Sequence, residues 1–249
     1  MKTGNVLVLI PIYKDKLDDI ERYSVEYSLS ALANREIRFI GPQSLDIAYY
    51  ASHYKNIPFE SFPAPCFESI EEYNRLLLSK YFYDRYDDYE FILILQTDAI
   101  VLRDELDFWC TQPFDYVGAP WPFGYELFVN LGLFEGSFGR HVRVTVGNGG
   151  LSLRRVDKCK NILSEFATAI DVFCKTGSSE DLFFSVMGSL SHDFVVPNEI
   201  TASRFAMELR PSYYYHVNGG HVPMGGHAWY KTDPEFWKPL LSTSFGEEK

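Results

Sequence analysis

Cysteine is scarce in this chain. The four residues Cys66, Cys110, Cys159 and Cys174 stand far apart and form no CxxC pair. That spacing excludes zinc ribbons and thioredoxin-like redox chemistry and leaves reduced thiols in a cytosolic protein as the expectation. Basic charge is also short: 23 Lys and Arg face 34 Asp and Glu, a net charge of −11. Non-specific nucleic-acid binding needs basic surface, so no nucleic-acid partner is expected. Long apolar runs are missing too. The stretch VLVLIPI near the N-terminus is too short to span a bilayer, is interrupted by Pro11 and lacks a small-residue cleavage site. It reads as a first strand rather than a membrane span or signal peptide. No linker, internal repeat or low-complexity tract appears, so residues 1–249 are expected to form one domain.

Hydrophobic residues make up 46% of the chain and aromatics 16%, including 17 Tyr and 20 Phe. Core packing accounts for most of that aromatic content, although it also suits surfaces that stack on sugars or bases. Apolar runs at Val6–Ile12, Ile37–Ile40, Phe59–Phe62 and Phe91–Leu95 read as buried strands. Between them, Asp15–Ala33 carries Leu17, Ile20, Ser24, Tyr27 and Ala31 at helical spacing. Ser69–Tyr86 reads as one long helix, with Ser69 and Glu72 spaced as a capping box. Strands alternating with helices predict an α/β, Rossmann-like fold with a mostly parallel sheet.

The second half differs. Trp109–Arg140 reads as loops and short strands. Val142–Val146 and Leu151–Arg155 read as strands around the turn Gly147-Asn148-Gly149-Gly150. Val156–Cys174 reads as one helix and Asp181–Met187 as a short one. Tyr213–Lys231 holds His216, His221, His227 and several glycines with weak periodicity. Such a segment suits either a mobile lid over a site, with His227 reaching its target only on closure, or a static C-terminal wrap whose histidines satisfy local hydrogen bonds.

Four features bear on chemistry. Asp98 ends the apolar run FILIL, in Gln96-Thr97-Asp98. A carboxylate at the carboxyl end of a buried strand lies where open α/β sheets bind ligands, and it can ligate a divalent cation that bridges phosphates. Equally, an Asp there can simply cap a turn. Glu180-Asp181 opens an aromatic helix. One carboxylate can serve as general base, or both can merely favour the positive end of the helix dipole. In GNGG, the glycines let backbone approach a flat ligand and Asn148 offers both donor and acceptor. His227, after Met224-Gly225-Gly226, is a candidate metal ligand, with His216 and His221 as competitors.

Taken in order, the segments IPIYK, YNRLLLSKYFYDRY, LQTDAIV, DYVGAPW, VGNGGLSLRR, EDLFF, FAMELR and PMGGHAWYK resemble the DUF5672-type family of glycosyltransferase-like proteins. The resemblance spans nearly the whole chain, and DYVGAPW with VGNGGLSLRR is its most specific part. It implies a GT-A fold: a Rossmann-like, mixed, mostly parallel sheet flanked by helices. Residues 1–101 would form the nucleotide-binding half and 102–249 the acceptor and catalytic half. LQTDA would stand for the metal-binding DxD motif, with Gln96 departing from its first acidic position. Pro11, Tyr13, Gln96, Thr97 and Asp98 would face the donor. Trp121, Asn148, Gly149 and Gly150 would shape the sugar and acceptor pocket. Asp181 would be the base of an inverting transfer and Glu180 would hydrogen-bond the acceptor. A Mn²⁺ or Mg²⁺ ion would be held by Asp98 and His227, with Met224 as a further candidate ligand.

The expected reaction moves a sugar from a nucleotide-diphosphate donor, a UDP-sugar first, to a glycan or glycolipid. The expected place is cytoplasmic, with a peripheral position at a membrane left open. Two other classes are carried forward. A non-catalytic sugar- or nucleotide-binding module would keep the fold without turnover. A nucleotidyltransferase would need a glycine-rich basic N-terminal loop, and IPIYKDK contains no glycine.

Overall fold

The structure is a computed structural model that describes residues 5–129 and 139–241. The elements run β1 (Val6–Pro11), α1 (Asp19–Ala31), β2 (Glu36–Pro42), α2 (Ala48–His53), β3 (Phe59–Phe62), a 3-10 turn (Ala64–Phe67), α3 (Ile70–Leu77), α4 (Lys80–Asp84), β4 (Phe91–Leu95), β5 (Ala99–Val101), α5 (Leu106–Thr111), β6 (Tyr116–Val117) and β7 (Pro120–Val129). They continue with β8 (Arg140–Val146), β9 (Leu151–Arg155), α6 (Val156–Glu165), α7 (Ala167–Thr176), α8 (Glu180–Leu190), α9 (Glu199–Phe205), β10 (Ala206–Met207), α10 (Pro211–Val217), β11 (Gly225–His227) and α11 (Pro234–Leu241).

The main sheet has the order β3-β2-β1-β4-β9-β6. Its first three pairings are parallel, and β9 runs antiparallel to both neighbours. The fold is therefore α/β with a mixed, mostly parallel central sheet, as expected. Strands β1 and β4 are buried along their whole length. Their side chains alternate between two cores, because successive residues of a strand point to opposite faces. Leu7, Leu9, Ile92 and Ile94 pack toward α3, α4, α6 and α8, whereas Val8, Ile10, Leu93 and Leu95 pack with Val25 of α1 and Trp109 of α5. Each such side chain contributes roughly 1.5–3 kcal/mol by leaving water.

The strand order reverses direction at β1. The chain moves from β1 outward to β2 and β3, then returns to place β4 on the other side of β1. That switch point opens a crevice beyond the carboxyl ends of β1 and β4. A second sheet, β10-β11-β5, lies beside it, and β7 with β8 forms a hairpin.

Several expected boundaries move. Ser69–Tyr86 is two helices, because Ser79 leaves helical geometry and caps α4 through Phe82 N–H. The reciprocal capping box belongs to Asp18 and Glu21 of α1, while Ser69 caps α3 from one side only. Val156–Cys174 is also two helices, meeting at Phe166. Part of the expected loop region, residues 130–138, lies outside the described residues. Among the described residues no helix is long and apolar enough to cross a membrane.

Candidate active site

A pocket of about 550 Å³ fills the crevice at the switch point. Pro11 and Tyr13 line it from the end of β1 and Gln96, Thr97 and Asp98 from the end of β4. Phe67, Ile70, Tyr73 and Asn74 form the wall at α3, and Tyr230 and Lys231 close the opposite side. All five residues expected to face a donor therefore line one cavity. Thr97 is buried and donates its hydroxyl to Glu21 Oε1 at 2.9 Å, so its side chain braces the loop. Glu21 also takes Lys14 Nζ at 2.9 Å, which ties the α1 cap to the pocket mouth.

Asp98 and His227 are 129 residues apart and touch. Strand β11 pairs with β5 so that His227 stands opposite Ala99. Ala228 N–H then donates to the Asp98 carbonyl at 3.1 Å. The imidazole Nε2 lies 3.1 Å from Asp98 Oδ1, and Lys231 Nζ lies 3.3 Å from Asp98 Oδ2. On the other side of the ring, Nδ1 faces Glu208 Oε2 at 2.9 Å and Asn148 Oδ1 at 3.1 Å. Burial would raise the Asp98 pKa, but hydrogen bonds and charge from His227 and Lys231 bring it down to about 2. Burial would lower that of His227, but the two carboxylates bring it up to about 9. The ring is thus an imidazolium that donates from both nitrogens at neutral pH.

In this arrangement His227 already stands against Asp98. β11 sits between β10 and β5, hydrogen-bonded on both sides. Backbone pairing delivers His227 to Asp98. His216 lies exposed on α10, and the exposed His221 is held by Asn218 instead. Met224 is not placed as a metal ligand: it is fully buried among Leu17, Val101 and Phe205.

Asp181 lies in the first turn of α8. Its Oδ2 accepts from Gly149 N–H at 3.0 Å, and its Oδ1 accepts from Leu182 N–H at 2.6 Å and from the Ser179 hydroxyl. A carboxylate offers about four lone pairs, so one on Oδ2 remains open to a proton. Glu180 has different partners. It is buried, accepts from Arg154 Nη2 at 2.5 Å, and holds Asp181 N–H at 2.6 Å. Burial raises its pKa, with Arg154 opposing. Arg154 is itself fully buried, bonded to Ser152 and Tyr83 and stacked over Tyr116 and Phe184. Glu180 is therefore committed to Arg154 rather than open to an acceptor.

The GNGG turn links the two groups of acids. Asn148 reaches His227, Gly149 reaches Asp181, and the Gly150 carbonyl accepts from Gln96 N–H at 2.8 Å. The glycines make room for protein. A Cβ on Gly150 would stand 2.3 Å from the His227 ring, and one on Gly149 2.7 Å from Glu180 Oε1. Trp121 is not a pocket wall either. It is buried, with its ring over Gly147 and edge-on to Tyr125.

Among the described residues no group of three or more His, Cys, Asp or Glu is arranged to hold a metal ion. The donor set fits a divalent cation only as a two-ligand site, Asp98 Oδ1 and His227 Nε2, completed by phosphate oxygens, and the imidazolium would have to give up its Nε2 proton to the incoming ion. Glu208 behind Nδ1 is the carboxylate that orients such a histidine. Sequence reasoning does not find Glu21, Glu208, Lys231 or Arg154. Only the Asp18-x-x-Glu21 capping spacing offers a local signal for any of them.

Residues 56–227 match the family described as "Protein of unknown function (DUF5672)". The chain belongs to the DUF5672 family. Its description names no activity. No curated protein matches the sequence. Among solved structures, the chain is similar to LgtC in an active-site mutant form. That match has TM-score 0.54 and 15% identity, over 97% of this chain and 98% of that one. It is also similar to mouse xyloside xylosyltransferase 1 in its apo form, with TM-score 0.52 and 11% identity over 88% and 96%. At these identities the likeness establishes the fold alone, that of GT-A glycosyltransferases.

Proposed function

We propose that this protein is a glycosyltransferase acting on a nucleotide-diphosphate sugar, a UDP-sugar first, with a glycan or glycolipid hydroxyl as acceptor. One observation carries the reading. The pocket at the switch point is lined by Asp98 and Lys231; behind that lining Asp98 meets His227, which is joined through Asn148 and the adjoining Gly149 to Asp181, a carboxylate with a free lone pair. That is the layout of a donor site beside a base.

The roles follow from chemistry. Tyr13 and Pro11 lie at the base or ribose end of the pocket. Lys231 and Lys14 supply positive charge to a diphosphate, and Asp98 with His227, its Nε2 proton displaced, would hold a divalent cation. When bound, that cation neutralises charge developing on the leaving diphosphate. Asp181 Oδ2 takes the proton of the acceptor hydroxyl while its oxygen attacks the anomeric carbon. The bond from that carbon to the diphosphate oxygen breaks, with inversion. Glu180 and Arg154 hold Asp181 in place from below.

A donor-hydrolysis screen across nucleotide sugars, with and without Mn²⁺, tests the reading. Release of a nucleoside diphosphate from one donor is expected, stimulated by Mn²⁺. Tight sugar-nucleotide binding with no turnover on any donor or acceptor would favour the binding-module reading instead. Gln96, uncharged where an acidic residue is expected, is the observation that keeps that second reading in view.

A further inference from the structure

The hairpin of β7 and β8 breaks register between Pro120 and Tyr125, and Gly124 within the break has φ of 65°. Such bulges re-aim side chains and recur beside active sites. Here the bulge turns Phe123 outward, 73% exposed. The guanidinium of Arg210 lies 5.4 Å from the Phe123 ring centroid and 5.2 Å from that of Tyr213, itself 43% exposed. Arg143 reaches the same place and donates Nη2 to the Phe123 carbonyl at 3.1 Å. Arg210 holds φ of 53°, a left-handed conformation that non-glycine residues seldom adopt.

Charge sets these two arginines apart from most others. Arg35, Arg38, Arg85, Arg103, Arg154 and Arg155 each meet a carboxylate. Arg143 and Arg210 form no salt bridge among the described residues, in a chain whose net charge is −11. Two exposed aromatic faces and two guanidiniums with no salt bridge among the described residues therefore share one patch. Aromatic faces take the C–H face of a sugar ring, and a guanidinium edge takes a carboxylate through paired N–H groups. The patch borders the candidate site. Arg210 is two residues from Glu208, so their Cα atoms are at most about 7 Å apart, and Glu208 touches His227.

We propose that Phe123, Arg143, Arg210 and Tyr213 form an acceptor-side subsite for a saccharide bearing a carboxylate, such as a uronic acid residue. Its acceptor role rests on the glycosyltransferase reading above; the binding itself does not. Two guanidiniums on an otherwise acidic molecule suit an anionic group on the sugar, and the phosphate arms of the test separate a carboxylate from a phosphate.

Amide NMR titrations of the full chain with glucuronic acid, glucose, glucose 6-phosphate and inorganic phosphate test it, beside a titration with UDP and Mn²⁺. Glucuronic acid is expected to shift Phe123, Arg210 and Tyr213 and to bind about tenfold tighter than glucose, the worth of a charge-assisted hydrogen bond. Arg210→Gln and Arg143→Gln should each remove that preference and leave UDP binding unchanged. Equal binding of glucose and glucuronic acid overturns the proposal. So does tighter binding of glucose 6-phosphate or phosphate, or the absence of shifts at these residues. Glucuronic acid bound here by a protein that binds no nucleoside diphosphate would overturn the acceptor role and the transferase reading together, while leaving a saccharide site.

Discussion

Asp181 and Glu180 are neighbours in sequence with opposite environments, and that separates their roles. Asp181 keeps one lone pair open, whereas Glu180 is buried on Arg154. Asp181→Asn should lower turnover by roughly 10²–10⁴-fold, the usual contribution of a general base, with donor affinity nearly unchanged. Steady-state kinetics with a responsive donor checks this, and near-normal turnover would remove Asp181 from the mechanism. Glu180→Gln should instead act on the fold. Removing one charge of a buried pair leaves the other uncompensated, a cost of about 3–5 kcal/mol. Urea denaturation should show a loss of that order for Glu180→Gln and a much smaller one for Asp181→Asn. Equal losses would mean that the Arg154–Glu180 pair contributes nothing special. The sequence marks both acids but cannot divide them, because Arg154 lies 26 positions away from Glu180 and has no local signature.

At the scale of elements, the parallel strands are legible because a fully buried strand is written as an unbroken apolar run. Phe91–Leu95 matches the expected bounds, as does Phe59–Phe62. Helix breaks are not legible: Ser79 and Phe166 interrupt their helices without Gly or Pro. The strand within the tail is not legible for a related reason. β11 has only three residues, two of them glycines, and its strand geometry comes from pairing with β5 and β10 rather than from its own propensity. The GNGG turn reads as a place of ligand approach, yet its glycines serve contacts between elements. Gly150→Ala tests that. The added methyl would meet the His227 ring, which must then move away from Asp98. Overpacking of this kind costs about 1–3 kcal/mol. Calorimetry should show Mn²⁺ binding in the presence of UDP weakened by at least about tenfold, the equivalent of about 1.4 kcal/mol. Unchanged affinity would show that the ring position does not matter to that site.

For the whole molecule, the fold class is readable from the alternation of strands and helices, whereas the site is readable only as separate pieces. Asp98 and His227 meet because the chain returns after more than a hundred residues to pair β11 with β5, and no local pattern encodes that return. The closure has a consequence for global stability. The folded-state pKa of His227 is raised from its ordinary 6.5 to about 9. A raised histidine pKa stabilises the fold fully below about pH 6.5, and that contribution disappears as pH rises through about 9. Asp98, lowered to about 2, works in the opposite sense: its contribution is present above the ordinary 3.8 and is lost as pH falls through about 2. Between these limits the cluster is fully charged, so its stabilisation should be greatest from about pH 4 to 6.5. At about 1.36 kcal/mol per pKa unit, the His227 shift corresponds to a contribution on the order of 3 kcal/mol. Urea denaturation of the wild type and of His227→Gln at about pH 6 and pH 9 isolates it, because the other titrating groups are common to both. The stability gap between the two proteins should shrink by a few kcal/mol across that interval. A gap of constant size would mean that the imidazole is not held as a cation between Asp98 and Glu208, and the electrostatic account of the site would fall with it.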